Sequence, residues 1–474
     1  MTVPMDGHDV HLSEALIRDF AISLKGSLIG PSDNQYDESR AIWNGMIDRR
    51  PALIARCLDS TDVAAAVDFA RSNHICLSVR GGGHGVAGNA VCDDGLVIDL
   101  SGMASIDVDP ERRTVGAGAG ALLGDLDRTT QQFGLAVPAG TVSETGIAGL
   151  TLGGGMGWLS RRYGLTCDNL ISVEMVTAGG EVLRADDSSH PDLMWGLRGG
   201  GGNFGIVTKF EYQAHLVGPT VLAGFLLHPI ARAQEFFDFY GRYTADAPEE
   251  LTTIGVIRIM PPVSSVPTDL QGVLVAGTGV CWSGDIDQGR RVLEPLRNYG
   301  APLSDTIAPI PFVEHQAILD LGVPAGLHYY EKSENLPALT PDLIEVLVHH
   351  GEQVSSPYAF VGLFQLGGQV EHVAEDDAAY TQRDAAYSLI MSAGWEAPGK
   401  ADIHTNWVRS FWKAVQPFSI GGGYINFMSH DDGNDRVEAA YGSSKYARLT
   451  ELKNRYDPNN LFRLNQNIKP TQRV

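Results

Sequence analysis

The residues of this chain best suited to holding a large ligand are three clusters of glycine: Gly81–Gly83, which run directly into His84, then Gly153–Gly155, and Gly199–Gly202. Consecutive glycines leave several backbone N–H groups free to point into one concavity, and such a nest binds phosphate oxygens without a positive side chain. Missing side chains also let the backbone approach a ligand closely. Three such loops in one half of the chain point to a large dinucleotide. The usual nucleotide fingerprints do not fit: GxxxxGK[ST] is absent, and RGGGHG lacks the GxGxxG spacing with its acidic residue about 20 positions on, which argues against a Rossmann unit.

Other candidate chemistry is sparse. His349 and His350 are adjacent and would leave a helix on different faces, so they make a poor metal pair. Asp431 and Asp432 read as a solvated loop, and no metal-binding pattern is visible. Five cysteines, with no CxxC pair, suggest neither a disulfide framework nor a zinc site. A net charge of −22 without a basic segment excludes an extended nucleic-acid surface or an anionic-membrane surface. Neither a signal-like start nor a run of 18 apolar residues occurs, so a cytoplasmic location is expected.

These loops must be positioned by alternating helices and strands. From about residue 50, a helix over TDVAAAVDFARS with its N-cap at Ser60 or Thr61 leads into a strand, ICLSVR, that runs into the first glycines; the strand LVIDLSG follows. ISVEMVTA and EVLRA pair as a hairpin around Gly179 and Gly180. Near residue 216 glycine clusters thin out. Longer strands (LTTIGVIRIM, LQGVLVAGTGVCW, YAFVGLFQLGG) then alternate with amphipathic stretches (AQEFFDFYGRY, PDLIEVLVHHG), which predicts a second domain, a sheet with covering helices.

The order and spacing of several segments resemble one family across nearly the whole chain. SVRGGGHGVAG (78–88), LVIDLSGM (96–103), PAGTVSETGIAGLTLGGGMGWLSRRYGLTCDN (138–169), LMWGLRGGGGNFGIVTKFEY (193–212), GGGYINF (421–427) and YDPNNLFRLNQNI (456–468) carry it. The chain resembles the berberine-bridge-enzyme-like branch of the FAD-linked oxidases that share the vanillyl-alcohol-oxidase and p-cresol-methylhydroxylase (PCMH) fold. The resemblance implies an α+β, two-domain architecture. An FAD-binding domain would span 1–216, with its PCMH-type core at about 46–216; a substrate domain, an antiparallel sheet covered by helices, would be inserted at 217–423, and 424–474 would return to the FAD domain.

The resemblance also implies roles. His84 occupies the place of the histidine bonded to the flavin 8α-methyl; a neutral imidazole nitrogen is a nucleophile, and attachment raises the flavin potential and prevents loss. Many relatives add a cysteinyl bond in a segment matching AGTVSETGIAG, where this chain has Val142, so attachment through His84 alone is expected and Cys167 reads as a buried small hydrophobe. Further flavin contacts fall on Arg80, Gly81, Gly82, Gly83, Gly85, Gly88, Gly140, Thr141, Thr145, Gly146, Gly149, Gly153, Gly154, Gly157, Trp158, Asn203, Gly205, Val207, Asn465 and Asn467, with Tyr424 and Asn426.

The YxN pattern matches Tyr424-Ile425-Asn426, on the strand that brings the chain back toward the flavin. Tyr424 is the candidate base, Asn426 would position it or the substrate, and Gln365 would orient a substrate oxygen. Other relatives place an acidic base on the strand matching LFQLGGQ, where Phe364, Gln365 and Gln369 supply no carboxylate. His404, Asn406 and Trp407 are candidate pocket wall. The expected activity is oxidation of a small or medium organic molecule, with dioxygen as electron acceptor. A hydroxyl of a sugar or polyketide, an alkaloid amine, and a ring-forming oxidation all stay open, as do a dehydrogenase using another acceptor and a binding protein whose active site has decayed.

Overall fold

Leu96–Asp99 is buried along its whole length, as a short strand must be when neighbours cover both faces. In the computed structural model, which describes residues 2–5 and 8–471, it runs parallel to Leu53–Arg56 on one side and Leu77–Arg80 on the other, with Ser27–Ile29 antiparallel at the edge. The crossover between the outer parallel strands is the helix Ser60–Ser72. Its cap is Asp59, one residue before the expected pair: the Asp59 carboxylate accepts the N–H groups of Thr61 and Asp62 at 3.0 and 3.1 Å, and a carboxylate also suits the helix dipole.

A second, five-stranded antiparallel sheet contains the expected hairpin, Leu170–Val176 against Val182–Asp186, closed by the Gly180 N–H on Thr177 O at 3.0 Å with Gly180 at φ +84°. One apolar core joins residues of these two sheets to Ile425, Met428 and the C-terminal helix Ser443–Tyr456, which contributes Leu449 and Leu452.

Between these parts the chain builds a large antiparallel sheet around the strands Thr220–Pro229, Leu274–Trp282, Leu251–Ile259, Phe360–Gln365, Tyr387–Trp395 and His328–Leu336, in that spatial order. Alternation sorts its residues. Ile257, Val361, Leu363, Leu389 and Met391 face the helices Ala233–Ala245, Pro341–Gly351 and Ala401–Val415 in a second core, while Val256, Phe360, Gly362, Phe364 and Ile390 face the other way.

Asp431 and Asp432 are not a solvated loop. They grip the buried Lys332 ammonium at 2.8 and 2.7 Å, and Asp431 also takes hydrogen bonds from Tyr330 and Arg409 at 2.8 Å each, clamping the segment after Phe427 to the sheet. No helix among the described residues is long and apolar enough to cross a membrane.

Candidate active site

The face of the large sheet opposite those three helices closes over the glycine loops and encloses a cavity of about 750 Å³, a size typical of ligand sites. Gly81–Gly85, Gly140, Thr141, Thr145, Gly146, Gly149, Trp158, Gly205 and Val207 line one side, and Tyr424, Asn426 and Asn465 come from the C-terminal segments. The loops meet backbone to backbone: a Cβ on Gly82 would lie 2.4 Å from Gly146 N. At Gly85, Gly149 and Gly202, by contrast, an added Cβ would meet no protein atom within 4 Å, although all three line the cavity. The space their side chains would fill is reserved for something other than protein. The N–H groups of Gly82, Gly83, His84 and Gly85 donate to no acceptor among the described residues, as a nest for oxyanions requires.

His84 sits in this wall, buried, with Nε2 lacking any hydrogen-bond partner among the described residues. Desolvation pulls its pKa down to about 4, so the imidazole is neutral and its lone pair is available at physiological pH. The ring stacks on Trp43 at 4.4 Å, and Trp43 stacks on Tyr329 at 3.8 Å. Asn44 ties the same loop to the sheet: its Nδ2 donates to Val86 O and Tyr329 O at 2.8 and 2.9 Å, and its Oδ1 accepts the Tyr329 N–H at 2.9 Å. His84 is thus packed on a loop that is tied to the large sheet.

Tyr424 does not lie on a strand. Gly421 and Gly422, at φ +92° and +73°, break the extended chain, and Ile425–Phe427 form a 3-10 turn closed by the Phe427 N–H on Tyr424 O. Gly423 is confined to glycine because a Cβ there would lie 2.4 Å from Ser333 O. This turn aims the Tyr424 ring at the backbone of the second glycine cluster: Gly155 N–H and Asn426 Nδ2 both donate to Tyr424 Oη at 2.7 Å. Burial pushes the phenol pKa up, opposed by these donors.

Several expected contacts serve the scaffold instead. Gln365 is corrected outright: it lies on the helix-covered face, its Oε1 accepting from Thr253 Oγ1 at 2.8 Å and its Nε2 donating to Thr244 O at 3.0 Å, so it reaches no cavity atom. Asn203 is a clasp, donating to Gly200 O and Gln466 O and accepting the Ile468 N–H at 3.0 Å. The buried Lys453 ammonium joins it, bonding Asn203 O, Phe462 O and the Asp457 carboxylate at 2.9, 2.9 and 2.7 Å.

Gly153, Gly154 and Gly157 are close-approach positions behind the wall, where a Cβ would strike Asn426, Tyr380 and Ala139 respectively. Arg80 is turned to Ser39 O, Gly88 is pressed against Ile47, and Asn467 sits outside the lining with a buried, unpartnered Oδ1. His404 bonds Ser355 at 2.8 Å and Trp407 donates to His350 O at 3.0 Å; neither these two nor Asn406 reaches the cavity. Val142 is in the wall, whereas Cys167 is packed behind it, its thiol pKa pushed well up by burial, and no cysteine lines the cavity.

Two charged lining residues, Glu331 and Arg258, are not legible as such in the sequence. Glu331 is buried, accepts a hydrogen bond from Ser392 Oγ at 2.8 Å, and is held by desolvation at a pKa of about 7. Arg258 reaches the cavity from the neighbouring part of the sheet. In the segments YYEKSE and VIRIM both look like surface charges; only strand parity, once the sheet register is known, turns them inward.

Comparison with known proteins agrees with this geometry. The pattern of the family described as FAD binding domain matches residues 51–186, and that described as berberine and berberine like matches 423–469. An FAD-linked oxidoreductase of Dictyostelium discoideum is 33% identical, covering 96% of this chain and 97% of its own. (R)-6-hydroxynicotine oxidase of Paenarthrobacter nicotinovorans is 32% identical, over 95% and 98%. The crystal structure of 6-hydroxy-D-nicotine oxidase from Arthrobacter nicotinovorans superposes with a TM-score of 0.85 at 29% identity, covering 94% of this chain and 98% of that one. A chitooligosaccharide oxidase shares the fold, with a TM-score of 0.83 at 24% identity over 96% and 100%. The chain belongs to the berberine-bridge-enzyme-like FAD-linked oxidoreductases and is an FAD-binding enzyme.

Proposed function

We propose that this enzyme holds FAD covalently through His84 alone and oxidises a small organic molecule, with dioxygen as the final acceptor. Residues 1–216 with 424–474 form the flavin-holding unit, and 217–423 the substrate-holding one. The carrying observation is His84 itself, a neutral imidazole with an unpartnered buried nitrogen in the wall of a glycine-lined cavity. The residues present fit the cofactor: free loop amides for its phosphates, open space at Gly85, Gly149 and Gly202, and unpartnered polar atoms on His84, Trp158 and Asn465. When bound, the flavin supplies the acceptor for the substrate hydride.

The rest is work for side chains. Removing a hydride from an alcohol or amine carbon requires the heteroatom proton to leave, and a base near pH 7 is best matched to that transfer. Glu331 meets the requirement in the wall, with a pKa of about 7. Tyr424 has two donors on its oxygen, so its own proton is free for a substrate heteroatom; we assign it to orient that atom and to share the proton transfer. Asn426 holds Tyr424. Peroxide release from the yellow holoprotein across alcohols, sugars and cyclic amines tests the oxidase reading: turnover of one class with stoichiometric peroxide supports it, and flavin reduction without peroxide assigns another acceptor.

A further inference from the structure

Across the concave face of the large sheet, Arg258, Phe360, Ser392 and Glu331 stand directly opposite one another on four successive strands. Directly paired residues share a face, so all four side chains point to the same side. The two charged residues end this row. Three strand spacings put them roughly 14 Å apart along the sheet. The neighbouring row, Val256, Gly362 and Ile390, is apolar.

Glu331 has Ser392 as partner, but Arg258 has no counter-charge. Among the described residues no carboxylate lies within ion-pair distance of its guanidinium. Its hydrogen bonds are long ones to carbonyls: Nε to Ile259 O at 3.4 Å, and Nη2 to Gly322 O and Pro357 O at 3.4 and 3.3 Å. Nη1 makes none. One face rests on the Phe360 ring, 5.8 Å from its centroid. Desolvation pulls the pKa of this arginine down to about 10. Arg258 is partly buried; a desolvated charge without a counter-charge is costly, and a guanidinium fork matches a carboxylate bidentately.

None of these hydrogen bonds of Arg258 goes to a glycine-loop atom. Arg258 touches Gly322, Pro357 and Phe360, which belong to the large sheet and its connections. Val323, next to Gly322, accepts the Trp43 indole N–H at 3.0 Å, so the guanidinium lies on the Trp43 side of the cavity. We infer that the substrate is a carboxylic acid with an apolar body, its carboxylate taken by Arg258 and its oxidisable alcohol or amine carbon lying further along the cavity toward Glu331. The inference rests on the reading of this cavity as the active site, and makes Arg258 the residue that sets substrate specificity.

The test is binding to purified holoprotein, followed by calorimetry and by the fluorescence of the lining residues Trp43 and Trp158. The probes are three pairs of matched size: benzoate with benzamide, phenylacetate with phenylacetamide, and 3-phenylpropionate with its amide. The wild type should bind at least one carboxylate tenfold or more tightly than its amide. Arg258→Met should abolish that preference with the flavin spectrum unchanged, and Arg258→Lys, which keeps the charge but not the fork, should retain only part of it. The inference is overturned if no carboxylate beats its amide on the wild type, if the preference survives in Arg258→Met, or if Arg258→Met loses flavin, which would make the arginine a cofactor residue. A protein purified without flavin would contradict the functional reading instead, while the carboxylate preference is still read by calorimetry.

Discussion

Asn426 Nδ2 donates to Tyr424 Oη at 2.7 Å, and the same carboxamide nitrogen lies 3.1 Å from Leu150 O, so the helix Ile147–Leu152 fixes the side chain that fixes the phenol. With Gly155 N–H on the same oxygen, the phenol is held from two directions in the cavity wall.

Tyr424→Phe should therefore lower kcat by about 10²–10⁴-fold, the range for loss of a positioned proton-transfer group, with KM changed only a few-fold and the flavin spectrum retained. Asn426→Ala should cost less, because Gly155 still donates. Rapid-reaction reduction of the flavin under anaerobic conditions measures both; equal rates for Tyr424→Phe and wild type would remove Tyr424 from the chemistry.

Glu331→Gln should lose about 10²–10⁴-fold in kcat/KM and lose the rising limb of the pH profile near 7, since only the carboxylate accepts a proton. Stability gives an independent check. The folded carboxyl titrates at about 7 and the unfolded one near 4.5, so between these values the folded wild type binds more protons and loses stability as pH rises. Relative to wild type, the melting temperature of Glu331→Gln should climb between about pH 4.5 and 7 and level off above; a flat difference would mean an unshifted carboxylate.

Gly149→Leu should empty the cradle without unfolding the protein, because an added Cβ there meets no protein atom within 4 Å and projects into the ligand space. Gly153→Ala works differently: its Cβ would lie 2.1 Å from Asn426 Oδ1, so it should displace the clamp and reduce turnover while flavin stays bound. Flavin content and kcat, measured on both, separate the two effects.

Lys453→Met removes the cation from a core where Asp457 is fully buried. An uncompensated buried charge costs about 3–5 kcal/mol, so a fall of several degrees in melting temperature is expected, and Lys453→Met with Asp457→Leu should recover part of it. A single variant as stable as wild type would contradict the clasp.

What the sequence disclosed follows from how local each signal is. Glycine loops and His84 were legible because a nest needs only consecutive residues, and the hairpin around Gly180 because its pattern and turn lie side by side. Gln365 is not decided by the sequence because a strand pattern does not say which face meets the ligand; the register with Tyr387 and the bond from Thr253 decide that. Glu331 is hidden for the same reason, sitting among charges whose members on the helix-covered face, Lys332 and Glu334, bind Asp431 and Arg436. Asp431 and Asp432 read as solvated because their partner lies about 100 positions earlier.

The covalent bond at His84 is tested most directly by the intact mass of the denatured, acid-washed protein, with peptide mapping of the loop 80–88. The wild type should be heavier than its sequence by one FAD less two hydrogens, with the added mass on the peptide containing His84. Val142→Ala and Cys167→Ala should keep that mass, and His84→Ala should lose it. A wild-type chain at its bare sequence mass, or an adduct that survives in His84→Ala, would contradict the account.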